Sequence, residues 1–206
     1  MISIFKDDKF KKYFIEFMIL FWIFIIAGIL VGMYIPHELT YSTVSHIASS
    51  SASARLVNIS DNAFYKAMAF FVNNTLCAAI FALFIPVIGY YLKPETQTMN
   101  IKRLSILSRV GFASQMFVIG MVIGFIAPLL NNPLLVLTSL VPHGIIEIPA
   151  FLIAASMGLW FIKEHQFSME YIDLVKLFAV YVIPMIFVAA FLEAYLTPYL
   201  MYLIVA

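Results

Sequence analysis

Apolar positions run through this chain in five long blocks, separated by short polar or proline-bearing stretches. A helix needs about 20 mostly apolar residues to cross the hydrocarbon of a bilayer. Residues 14–35, 64–92, 110–130, 143–162 and 174–202 meet that requirement. The second and fifth blocks are longer than a crossing needs and have room to tilt or kink, with Pro86 and Pro184 as the kink candidates. The pattern predicts an all-α fold: a polytopic transmembrane helical bundle of five spans, forming a single integral membrane domain over residues 1–206. Before the fourth span, Asn131-Asn132-Pro133 introduces an apolar run, 134–141, that is too short to cross. It reads either as a re-entrant or interfacial half-helix or as an apolar loop lying on the membrane. In the first reading Asn132 is the cap and Pro133 the first helical residue. Pro142 separates this piece from the fourth span.

Composition agrees. The 206 residues are 64% hydrophobic and 11% charged, with a mean hydropathy of +1.01, against about 25% charge in soluble domains. The lipid bilayer is thus the first partner, and a net charge of +1 gives no argument for nucleic acid. A lone cysteine, Cys77, makes no intrachain disulfide. Lys6, Lys9, Lys11 and Lys12 precede an apolar run, 13–35, that exceeds the roughly 7–15 residues of a cleavable leader core. No small-residue cleavage site follows it, so it reads as an uncleaved first span.

Basic residues orient the bundle. With the N-terminus cytoplasmic and the C-terminus extracytoplasmic, ten of the twelve lie inside: Lys6, Lys9, Lys11, Lys12, Lys93, Lys102, Arg103, Arg109, Lys163 and Lys176. Arg55 and Lys66 fall outside. The expected location is a cell membrane. The outer loop 36–62 is rich in serine and alanine, and Asn58-Ile59-Ser60 matches a glycosylation sequon. The basic cytoplasmic loop 93–109 suits topology and anionic lipid. The two halves have no matching broken segments, which gives no support to an inverted-repeat transporter.

Candidate chemistry is confined to a few polar groups. His143 and Glu147 are four residues apart, on one face of a helix at the mouth of the fourth span. Projection along the spans at about 1.5 Å per residue puts Glu193, Asn73 and Asn74 at a similar depth in the outer leaflet. Gln115 is expected deeper and outside the group. His143, Glu147 and Glu193 can bind a divalent metal such as zinc and so support water activation. The same groups, with Asn73, Asn74, Asn131 and Asn132, can equally form a proton-sharing polar knot that holds helices together, or a pocket for a substrate or lipid headgroup. His37, His46 and His165 are in loops and turns. No nucleophile elbow, phosphate loop or dinucleotide fingerprint is present.

Small residues mark helix-packing faces: Gly28 and Gly32 in the first span, Gly120 and Gly124 in the third, Ala154 and Gly158 in the fourth. Their spacing lets helix backbones approach closely, within one chain or across a homodimer.

Taken with Asn73-Asn74 and Asn131-Asn132, the run Pro142-His143-Gly144 followed by Glu147 resembles the stage II sporulation protein M family of integral membrane proteins. Ala154-Ala155-Ser156-Met157-Gly158 and Phe191-Leu192-Glu193-Ala194-Tyr195 add to the similarity. The resemblance implies a five-span helical membrane protein with no assigned catalytic activity. The namesake works with peptidoglycan-cleaving partners during engulfment in endospore formers, and homologues occur in organisms that make no spores, archaea included. The leading expectation is a non-enzymatic scaffold or assembly component of a membrane or cell-envelope complex. The alternatives are a metal-dependent membrane hydrolase or lipid-handling enzyme using His143, Glu147 and Glu193, and a small-solute or lipid transporter.

Overall fold

The computed structural model describes residues 4–35, 62–91, 97–130, 133–165 and 171–205, and every regular element among them is helical. A single 3-10 turn, Ile4–Lys6, leads into α1, Asp8–Tyr34. Helix α2, Ala63–Ala79, passes through a π-turn, Ile80–Phe84, into α3, Ile85–Tyr91. Helix α4 is Gln97–Leu130; α5 is Pro133–Trp160, extended by a π-turn at Phe161–His165. Helices α6, Tyr171–Tyr181, and α7, Ile183–Phe191, a π-turn at Leu192–Leu196, and α8, Thr197–Val205, follow in series. Five helical stretches are long and apolar enough to cross a membrane: Asp8–Tyr34, Ala63–Ile88, Ile101–Pro128, Leu134–Glu164 and Tyr171–Ile204. The loop 36–61, with His37, His46 and the sequon at Asn58, lies outside the described residues, as do Asn131, Asn132 and the side chain of His165.

The fourth stretch is the axis of the bundle. Its most apolar window is 72% buried, against 17% for the first. From Ala150 to Ile162 every residue of it that is named in the core is under a tenth exposed. Helix α1 is apolar on both faces. Phe10, Tyr13, Phe17, Phe21, Gly28 and Gly32 face the protein, while Ile15, Ile19, Trp22, Ile23, Ile26 and Leu30 stay exposed. A helix apolar all round belongs in lipid or deep in a core, and this exposed face suits lipid.

Glycine sets the closest approach. A Cβ at Gly28 would strike the Phe117 carbonyl and the Met121 nitrogen, and one at Gly32 the Met121 carbonyl. Gly120 and Gly124 lie in the same way on the carbonyls of Ile25 and Ile29. Partner numbers rise together, so α1 and α4 run parallel, each glycine pair seated on the other helix's backbone. Gly158 of α5 sits on the Phe81 carbonyl, inside the π-turn of the second stretch. The small-residue faces are therefore spent within the chain. In lipid the hydrophobic effect does not drive helices together, and close backbone packing of this kind does.

Proline explains two of the three described π-turns. It has no N–H and crowds the carbonyl four residues back. The π-turns Ile80–Phe84 and Leu192–Leu196 each end two residues before a proline, Pro86 and Pro198, and widening relieves both defects. Pro184 falls in the first turn of α7, just after the chain breaks regularity at Val182. Pro142 behaves differently from expectation. The run 134–141 is helical, yet it is the beginning of α5 rather than a separate half-helix, because Pro142 and Pro149 are both carried inside one continuous helix. Membrane helices tolerate such prolines where neighbouring groups satisfy the freed backbone. His143 and Glu147 consequently lie some 15–21 Å along α5 from its start, at about 1.5 Å per residue, not at the mouth of a span.

At the end of the bundle where α1 begins, polar groups pair. Asp7 caps α1, accepting from the Lys9 and Phe10 amides at 2.8 and 3.2 Å, and also accepts from Trp160 Nε1 at 3.1 Å. Tyr13 donates to Glu164 at 2.7 Å, and Lys9 pairs with the same carboxylate. Arg109 reaches Glu16 through Nε and through Nη2 at 3.1 Å, and holds Ser105 as well.

The packing predicts that Gly120→Ala destabilises the protein by about 2 kcal/mol or more, since backbone must move. Gly144→Ala meets only its own helix's Ile148, at 3.7 Å, and is expected to change stability by no more than about 0.5–1 kcal/mol, in the stabilising direction. Thermal unfolding of both variants in one detergent measures the contrast.

Candidate functional site

Helix α5 supplies His143 and Glu147 from one face, one turn apart. The π-turn ahead of α8 supplies Glu193. A donor atom from each of these three side chains lies within 4.8 Å of the other two, and all three residues are half-buried. The structure thus joins the three residues singled out as metal candidates, at a depth well inside the helices.

Their surroundings are sparse. Among the described residues, neither carboxylate receives a hydrogen bond or pairs with a lysine or arginine. An ionised residue at the centre of a membrane helix costs about 2.5–3.5 kcal/mol on insertion scales, and two neighbouring carboxylates repel each other in addition. The arrangement needs positive charge or protons from somewhere. A divalent cation bound by all three side chains supplies the first; a proton shared between the carboxylates supplies the second.

Of the four asparagines expected near the cluster, Asn73 and Asn74 are described. Asn73 Nδ2 donates to Asn74 Oδ1 at 3.0 Å, so this pair is bonded to itself rather than to a carboxylate. Residues missed in the sequence complete the surroundings. Thr197 Oγ1 lies 3.5 Å from His143 Nδ1 and 3.3 Å from the Leu192 carbonyl. The Cys77 thiol is in electrostatic reach of Glu147 and near Gln115. The available signal was spacing: Cys77 follows Asn73 and Asn74 by four and three residues, on their face of α2.

An uncharacterized protein of Methanocaldococcus jannaschii is 42% identical over 94 residues, covering 40% of this chain and 52% of the relative. The match thus spans about half the length of that relative. No solved structure matches. The sequence model of the Stage II sporulation protein M family matches residues 17–198, from early in α1 to the start of α8, and the chain belongs to that family.

Proposed function

We propose that the chain is a multi-pass membrane scaffold, N-terminus cytoplasmic and C-terminus extracytoplasmic, that takes part in assembling a cell-envelope complex without catalysing a reaction. The observation that carries this reading is the double backbone lock. Helix α1 is seated on α4 through four glycines, and α5 on the second stretch through Gly158. The paired groups around Asp7, Glu164 and Arg109 tie the α1 end of the bundle. Helices fastened in this way move as one body. A carrier must rock one set of helices against another, so the lock weighs against transport and favours a fixed surface that partners assemble on. Because the glycine faces are occupied within the chain, a second copy or an envelope protein has to meet another face.

A metal-dependent hydrolase or lipid-handling enzyme is the second reading. It is favoured by the convergence of His143, Glu147 and Glu193.

Orientation is tested with single cysteines at two exposed positions, Lys102→Cys and Tyr202→Cys, in a Cys77→Ser background. An impermeant maleimide added to intact cells is expected to label the second and spare the first until the membrane is opened; the reverse pattern contradicts the orientation. For assembly, mass measurement after mild solubilisation is expected to show the chain in a particle larger than one copy. A uniform monomer under every solubilisation condition contradicts the scaffold reading.

A further inference from the structure

We infer that His143, Glu147 and Glu193 form a binding site for one divalent transition-metal ion of the zinc class, half-buried between the helices. The inference stands apart from the assembly reading: a scaffold with or without an ion has the same topology and mass.

Charge carries the argument first. Two carboxylates and a dication sum to zero, and a neutral site is the form that apolar surroundings tolerate best. One shared proton leaves the pair with a net negative charge. Among the described residues, no lysine or arginine pairs with either carboxylate to cancel it. At the α1 end of the same bundle the carboxylates of Glu16 and Glu164 each have a cation, Arg109 and Lys9. Among the described residues, the protein thus supplies its own counter-charge there and none at Glu147 and Glu193.

Donor chemistry selects the ion. Magnesium and calcium prefer all-oxygen shells, whereas a mixed imidazole and carboxylate set suits zinc and its first-row neighbours. Bonds of about 2.1 Å place tetrahedral ligand atoms about 3.4 Å apart. The three donors lie within 4.8 Å of one another, so closure asks for a shift of at most about 1.4 Å at the ends of flexible side chains. Three protein ligands leave the fourth position to water or a small oxygen ligand.

The backbone and the groups behind the ligands fit the same purpose. Glu193 lies in the widened turn that precedes Pro198, so a proline defect sets where this carboxylate points. Thr197 Oγ1 is within reach of both the Leu192 carbonyl and His143 Nδ1. With its proton given to the carbonyl, the hydroxyl accepts from Nδ1–H and leaves Nε2 as the metal ligand. An acceptor on the far ring nitrogen, of this kind, fixes the tautomer and orientation of most metal-binding histidines.

The test uses the full chain, purified in detergent through a tag without histidines and without chelators. Elemental analysis is expected to find about one zinc-class ion per chain. After stripping with a chelator, Zn²⁺ is expected to restore that ion and raise the unfolding temperature, while Mg²⁺ at the same concentration leaves it unchanged. Glu193→Gln, close in shape to the native residue, is expected to lower bound metal at least tenfold, as is His143→Ala. If His143→Ala does not fold, Glu193→Gln and the visible absorption of Co²⁺-loaded wild type carry the test. Stripped wild type that takes up no Zn²⁺ and shows no thermal shift overturns the inference. So does uptake that is equal in wild type and Glu193→Gln, which marks an adventitious ion only.

Discussion

Hydrocarbon offers a polar group no partner, and this one constraint orders the structure. Every charge or hydrogen-bonding group that enters these helices has to be compensated from within the protein. At the end where α1 begins, compensation is direct. Asp7 serves both as the helix cap and as the acceptor for Trp160, and Glu164 gathers Lys9 and Tyr13. Farther along α5 the same constraint meets two carboxylates and an imidazole with no protein cation pairing them among the described residues. The contrast between the two places is the strongest functional signal in the molecule.

The second theme is the placement of small and cyclic residues. Glycines remove side chains where α1 meets α4 and where α5 meets the π-turn at Ile80–Phe84. That π-turn precedes Pro86, and its counterpart at Leu192–Leu196 precedes Pro198. The first widened turn forms the backbone seat of Gly158, and the second positions Glu193 opposite α5. Residues that are costly in a soluble helix thus become, in this bundle, the means of close packing and of aiming a carboxylate.

Much of this was legible in the order of residues. Apolar blocks long enough to cross a bilayer mark the helices, because the length requirement is set by the membrane rather than by the protein. Depth counting brought Glu193 level with His143 and Glu147 although they are far apart in the chain. Pro142 misled the reading: a proline that usually ends a helix in water is carried inside α5, so the pair that looked like the mouth of a span is deep in a helix. Contacts between distant segments could not be read at all. Trp160 on Asp7, Lys9 on Glu164 and Thr197 beside His143 depend on how the helices rotate and cross, and no local spacing encodes that.

The central claim is that the uncompensated carboxylates are balanced by a metal ion held with His143. Anomalous diffraction at the zinc edge, from crystals of zinc-loaded protein, addresses it most directly. The account predicts one strong anomalous peak bounded by His143, Glu147 and Glu193, between α5 and the turn before α8. Zinc peaks elsewhere on the protein, with none among these three side chains, would contradict it.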